Sequence, residues 1–305
     1  FWDLIQPGFM FIAGTAMAYS LHRQQQEGVP WSQSGLKVLR RSGWLFFWGV
    51  LDYAVRPGGL SFELWDVLTQ LSFTTLLTFL AFRWKAQWQI LFCISLLLLT
   101  ELLYRFTHIP GFDEPFTDQR NFGNYVDLLL MNKINDGGWV AINCLPTAVH
   151  TIAGAMAGKL LISGRQAFKT LLIAGAVCLF LGFFLDLSGI TPIIKRIATS
   201  SFTLASLGWC LWGLAACYGW IDLLDHKKYL LFVTIVGMNS LFIYLFFEIV
   251  ASRWFNDYIR AIVEGLLGFV HTPELLAGII ASLCIFACEW YMCYFLYRKG
   301  VFFKV

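Results

Sequence analysis

The sequence has 305 residues, of which 58% are hydrophobic and only 13% are charged, and its net charge is +3. Soluble domains are about 45–50% apolar and about 25% charged, so a single soluble core cannot bury this much apolar surface. The lysines and arginines are scattered between apolar runs and form no stripe or arm, which excludes nucleic acid as a partner. The composition predicts an all-α protein, a polytopic bundle of transmembrane helices.

Nine apolar runs approach the length of about 20 residues that a helix needs to cross the hydrocarbon core. In chain order they cover residues 2–20, 36–55, 64–82, 88–106, 138–161, 168–186, 200–220, 229–249 and 274–297. The runs are continuously apolar and do not alternate as barrel strands do, which favours helices. Two longer polar connections are predicted, over 107–137 and over about 250–273, within a single transmembrane domain covering 1–305.

The distribution of lysine and arginine predicts the orientation, because these residues accumulate in short cytoplasmic connections. The short connections on one side of the membrane hold more lysine and arginine than the connections on the other side. They include Arg23, Arg83, Arg165, Lys299 and Lys304. This side is predicted to be cytoplasmic, together with the C-terminus. Phe1 and the 107–137 loop then lie outside. The cysteines show no disulfide pattern and the connections are compact, so the expected location is a bacterial inner membrane.

Polar side chains within apolar runs are candidates for function, because they are costly to place in lipid. They are Glu101, His150, Asn239, Glu248 and Glu289. His150 is interpreted as a hydrogen-bonded packing residue, because no second histidine is spaced to share a metal ion with it. The eight cysteines contain no C-x-x-C pair, so no metal site is predicted.

Two charged groups lie at the ends of predicted spans. Asp3 begins the first span at its outer mouth, where a carboxylate either acts in chemistry or caps the free N–H groups of the helix start. Lys37, Arg40 and Arg41 open the second span and share one helix face, because they are spaced i, i+3, i+4. That face is suited to a nucleotide phosphate or pyrophosphate. Lipid head groups and a purely topological role are the alternatives.

Several blocks of the chain form a recognisable series. They are WDLIQPGFMFIAG from Trp2, NFGNYVDLLLMNK from Asn121, IKRIATSSFTLAS from Ile194, GMNSLFIY from Gly237 and LYRKGVFFKV from Leu296. The first is similar to the pattern D-L-V-F-P-x-F-x-F-x-x-G, and the last to L-Y-R-K-x-x-F-W-K-I. In this order the blocks resemble the heparan-alpha-glucosaminide N-acetyltransferase family and its bacterial relatives.

The resemblance implies a membrane-embedded acyltransferase. It would move an acetyl group from cytosolic acetyl-CoA to an amino sugar or glycan on the extracytoplasmic side. The family's histidine precedes the first block and is not in this sequence, so we expect a further segment upstream with one more span. The implied roles are catalytic for Asp3 and Asn239, CoA-binding for Lys37, Arg40 and Arg41, and substrate-binding for Asp127 and Lys195.

Another class of function fits the same residues. A transporter or flippase of a lipid-linked or free sugar would use a polar outer cavity and a basic inner rim. Binding of acetyl-CoA separates the acyltransferase from this alternative. Membrane lipids are expected partners in either case, and a homodimer is compatible with the sequence.

Overall fold

A computed structural model describes residues 2–56, 60–164, 166–228 and 230–303. Within these ranges the protein is helical and contains no β-strand. The prediction of an all-α protein is therefore confirmed for the described residues. Phe1, Arg165 and Lys304, which enter the orientation argument, lie outside them.

The contacts within the chain form two compact units. Unit 1 comprises Phe1–Ala54 and Leu60–Asp225, and unit 2 comprises Val55–Gly59 and His226–Val305. The sequence analysis predicts a single domain over 1–305. Each unit is described by itself below.

Unit 1 holds most of the helices. Its helices are α1 (Ile5–Gln26), α2 (Trp31–Ala54), α3 (Val67–Ala81), α4 (Ala86–Phe106), α5 (Phe122–Met131), α6 (Cys144–Ser163), α7 (Ala167–Leu187) and α8 (Ser200–Tyr218). Short 3-10 turns at Trp2–Leu4 and Ala141–Asn143 precede α1 and α6, and a π-helical turn at Gly219–Leu223 follows α8. The predicted loop over 107–137 is irregular except for α5, which the Asn121 side chain caps.

Unit 2 contains α9 (Leu230–Met238), α10 (Ser240–Phe246), α11 (Asn256–Gly268) and α12 (Glu274–Arg298). A π-helical stretch, Phe247–Phe255, joins α10 to α11. The prediction of a polar connection over 250–273 is therefore wrong for most of its length. Ile259, Val263 and Leu267 recur every four residues, and they give this polar stretch one apolar face that packs against α12.

Five helices of the described chain are long and apolar enough to cross a membrane, or six if the bent pair in unit 2 is one span. They are α4, α6 with its preceding turn, α7, α8 with its following turn, and α12. These helices are those of an integral membrane protein. The further spans predicted over α1, α2 and α3 do not meet this criterion of length and apolarity. Helix α3 has only 15 residues, and α1 and α2 carry more polar side chains.

The closest packing in unit 1 joins α1 to α6. Gly154 and Gly158 of α6 face α1 with the G-x-x-x-G spacing that allows two backbones to approach. A Cβ atom on Gly154 would overlap the Phe11 carbonyl, and one on Gly158 would lie 2.7 Å from Ala18 Cβ. The Thr15 hydroxyl completes the contact by donating to the Gly154 carbonyl at 3.1 Å. The small residues of α6 therefore allow the close contact between α1 and α6.

A band of buried polar side chains, which we call the polar seam, follows α3 between α1 and α6. It consists of Gln6, Gln70, Thr74, Thr78 and Thr151, each at most 5% exposed. Gln6 Nε2 donates to Gln70 Oε1 at 2.6 Å, and the Thr151 hydroxyl lies 3.0 Å from that of Thr74. The seam is unusual for membrane helices, where buried polar groups are costly and tend to serve function.

Candidate functional site

A cavity of about 340 Å³ lies at one end of unit 1, where α1 ends and α2 begins. We call it the basic-end cavity. It is lined by Leu21, Gln25, Val29, Trp31, Ser34, Phe82, Arg83 and Lys159. These residues come from α1, α2 and α6, from the connection between α1 and α2 and from the turn after α3, so the packing of three helices and two connections fixes its shape. Its volume falls at the lower end of the range of small-molecule sites, about 300–1,000 Å³.

The cavity combines two cations with aromatic rings. The Arg83 guanidinium lies 5.1 Å from the centre of the Trp31 ring, and Lys159 Nζ lies 3.9 Å from the centre of the Phe82 ring. Lys159 also donates a hydrogen bond to the Phe82 carbonyl. The Trp31 ring stacks on Phe79 at 4.2 Å. No acidic side chain is among the described residues that line this cavity.

The predicted phosphate-binding face of α2 lies outside this cavity. Lys37 and Arg40 are exposed and Arg41 is half-buried, and none of the three lines the cavity. Arg23, at the end of α1, is paired with Glu27 at 2.8 Å. The basic residues predicted from sequence thus lie near the start of α2, whereas Arg83 and Lys159 line the basic-end cavity.

The opposite end of α1 carries a second polar site, the loop-end cluster, formed by Asp3, Trp139 and Lys195. Asp3 lies within the 3-10 turn before α1, and its side chain is 72% exposed. Lys195 Nζ lies 3.5 Å from Asp3 Oδ1 and 5.4 Å from the centre of the Trp139 ring. Leu4 occupies the N-cap position of α1, so the capping role considered for Asp3 is not observed. The structure brings two predicted site residues together.

A cavity of about 10 Å³ lies at the loop end of unit 1, lined by Thr100, Glu101, Tyr104, Phe116, Ile197 and Thr199. This volume is about that of one water molecule. A ligand at the loop-end cluster would therefore bind at an exposed surface, with the Trp139 ring and the Asp3 carboxylate available to it.

Asp127 is buried under this end of the unit. Trp65 Nε1 donates to its Oδ2 at 2.9 Å, and the Ala141 N–H donates to its Oδ1 at 2.8 Å. Burial raises the pKa of the Asp127 carboxyl to about 6, although both hydrogen bonds oppose the shift. Because internal donors occupy both oxygens, the position favours a structural role over the predicted contact with substrate.

Asn239 belongs to unit 2, where it separates α9 from α10. The helices on its two sides, Leu230–Met238 and Ser240–Gly268, are bent by 69° relative to each other. Asn239 is fully buried, and its Oδ1 accepts a hydrogen bond from the Phe303 N–H at 3.2 Å. Its Nδ2 group has no hydrogen-bond partner among the described residues. The amide is thus held at a helix break with a donor still unused.

Three of the other polar residues noted within spans have partners inside their units. His150 Nε2 lies 2.9 Å from the Ser206 hydroxyl, which favours its interpretation as a hydrogen-bonded packing residue, and its buried Nδ1 has no hydrogen-bond partner among the described residues. Glu101 pairs with Arg105 at 2.9 Å, and Glu248 with Arg56 at 3.9 Å. The sequence did not point to Trp31, Lys159 or Trp139 as site residues, because only the packing of distant segments brings them to these sites.

The chain was compared with known proteins. A scan against protein-family models finds no match, and a search of curated proteins finds none either. The family resemblance therefore rests on the sequence blocks alone and enters below as a proposal.

Proposed function

We propose that the protein is a membrane-embedded acyltransferase similar to the heparan-alpha-glucosaminide N-acetyltransferase family. It moves an acetyl group from cytosolic acetyl-CoA to an amino sugar or glycan on the extracytoplasmic side. One observation carries the proposal: unit 1 has a basic, partly open cavity at one end of α1 and an exposed cluster with a carboxylate and an aromatic ring at the other. The 22 residues of α1 separate these two sites by roughly 33 Å.

The polar seam supports a path between the two ends. A donor that enters at the basic end needs polar groups along its way, because its amides lose water inside the bundle. The hydroxyl and amide groups of Thr74, Thr78 and Gln70 lie along α3 in that direction.

In the proposed reaction the nitrogen of the acceptor amine attacks the carbonyl carbon of the thioester. A C–N bond forms and the C–S bond breaks, so the products are an N-acetyl sugar and CoA. The proton of the amine passes to a general base and then to the CoA thiolate. Asp3 orients that base, and Lys195 and Trp139 hold the acceptor. Asn239 remains a predicted donor to the oxyanion.

The proposal also includes the number of spans, their orientation in the membrane and the membrane in which the protein lies. Nine spans in this chain, with the basic end and the C-terminus in the cytoplasm, put the donor site on the side where acetyl-CoA is made. The loop-end cluster then faces outward, as an acceptor site requires. A bacterial inner membrane is the proposed location.

Asp3→Asn in the full-length protein tests the chemistry. The substitution keeps the size of the side chain and removes its charge, so we expect acetyl transfer from labelled acetyl-CoA to glucosamine to fall about 100-fold or more. Asp136→Asn, at an exposed position of the 107–137 loop, is the matched control. Full activity of Asp3→Asn would remove Asp3 from the mechanism. A folded wild-type protein without any transfer would contradict the proposed function.

One observation favours the alternative, a transporter or flippase of a sugar. Broken helices with buried polar groups form the substrate sites of many transporters, and the bend at Asn239 with its unused Nδ2 donor has this character. Uptake of a labelled amino sugar by proteoliposomes in the absence of acetyl-CoA would support this function. We expect no such uptake.

A further inference from the structure

We propose that the basic-end cavity binds the phosphorylated nucleotide end of the acyl-CoA donor, with Arg83 and Lys159 on phosphate and Trp31 against the base. This inference rests on the proposed function and assigns the donor site to residues other than Lys37, Arg40 and Arg41. The remaining part of the donor would extend from the cavity along the polar seam.

The charges of the cavity favour an anion. Arg83 and Lys159 are its two charged lining residues among those described, and neither is in an ion pair with a described carboxylate. Both cations lie over aromatic rings. Because a ring carries no net charge, these contacts leave the positive charge of each cation available to an anion. Charge-assisted hydrogen bonds to phosphate are stronger than the neutral contacts they would replace.

The first turn of α2 adds to this preference. Trp31 and Ser34 line the cavity and belong to that turn, so the N-terminal end of a 24-residue helix opens at the site. Free N–H groups and the helix dipole make such an end favourable for phosphate. Here the cavity and two cations that form no ion pair with a described carboxylate accompany the helix end.

The aromatic wall points to a nucleotide more than to a lipid head group. The Trp31 ring is nearly parallel to that of Phe79, with 8° between their planes, and the Arg83 guanidinium lies over it. A purine base stacks favourably on indole rings, and it would take the place of the Arg83 guanidinium over Trp31 as that guanidinium turns to the phosphate. A phospholipid head group has no planar ring to use this wall. The cavity of about 340 Å³ suits one end of a donor and not a whole acyl-CoA.

The test is calorimetric titration of the full-length protein in neutral detergent with acetyl-CoA and with adenosine 3′,5′-bisphosphate. For Arg83→Gln and Lys159→Gln we expect each single substitution to weaken both ligands about tenfold or more, as loss of a charged hydrogen-bond partner does. Trp31→Ala should weaken the bisphosphate more than it weakens inorganic phosphate. The Lys37, Arg40, Arg41→Ala triple variant should change affinity less than threefold. Lys85→Gln, exposed two residues beyond Arg83, is the matched control.

Three results would overturn the inference. In the first, the triple variant loses acetyl-CoA binding, whereas Arg83→Gln and Lys159→Gln bind acetyl-CoA as the wild type does. This result would leave the acyltransferase proposal standing. The second is displacement of the bisphosphate by phosphatidylglycerol vesicles as readily as by acetyl-CoA, which would identify a lipid site. The third is no binding of acetyl-CoA to folded wild-type protein, which would remove the proposed function as well. Arg83 is exposed, so Arg83→Gln is expected to fold if Lys159→Gln does not.

Discussion

Gly154→Val is expected to destabilise the protein by about 3 kcal/mol or more, the upper part of the range for overfilled cores. A Cβ atom at this position would lie 2.8 Å from the carbonyl carbon of Phe11, and it would overlap the carbonyl oxygen. The obstacle is backbone, which cannot rotate away as a side chain would. The contact between α1 and α6 would therefore have to open, and the polar seam would open with it.

Thermal unfolding of the detergent-solubilised protein, followed by intrinsic tryptophan fluorescence, measures this effect. Gly213→Val is the matched control, because Gly213 also lies within a helix and a Cβ atom there has no neighbour within 4 Å. We expect a clear fall in the midpoint for Gly154→Val and little change for the control. Equal midpoints for the two variants would contradict the close packing of α1 on α6.

Asp127 is expected to make stability depend on pH. Its pKa is raised from the ordinary 3.8 to about 6 in the folded protein, so the folded state binds the proton more tightly than the unfolded state. The stabilisation from this group is complete below about pH 4 and is lost as the pH rises through 6. Its size is at most about 3 kcal/mol, since one unit of pKa corresponds to about 1.4 kcal/mol.

The measurement is the unfolding midpoint between pH 4 and pH 7 for wild type and for Asp127→Asn. The wild-type midpoint should fall over this range, and the variant should lose that part of the dependence because its amide does not titrate. Asp136→Asn, at an exposed position of the same loop, should retain the wild-type profile. An identical pH profile for wild type and Asp127→Asn would show that the Asp127 carboxyl does not have this raised pKa.

The helices of unit 1 follow closely from the sequence, and those of unit 2 less so. Apolar runs predict α4, α7, α8 and α12 within a few residues of their observed bounds, because long apolar segments leave few alternatives to a helix. The break at Asn239 could not be predicted, since the residues on both sides are equally apolar. The prediction failed for 250–273 because α11 is amphipathic and its polar half resembles a loop.

The candidate sites were predictable only in part. The pairing of Asp3 with Lys195 joins two residues that the family resemblance selected, although nearly the whole of unit 1 lies between them in sequence. By contrast, Lys159 looks like an ordinary charge at the end of an apolar run. Only the approach of α6 to the turn after α3 brings it over the Phe82 ring and into a cavity. Tertiary proximity of this kind leaves no periodic signal in one sequence.

Sided transfer in liposomes shows whether an acyl group crosses from one end of the protein to the other. Full-length protein is reconstituted into liposomes that enclose glucosamine, and labelled acetyl-CoA, which does not cross lipid, is added outside. We expect labelled N-acetylglucosamine to accumulate inside the liposomes. With Asp3→Asn, the amount of this product should fall to background. If the label remains on CoA while the wild-type protein is folded and inserted, transmembrane acyl transfer is contradicted.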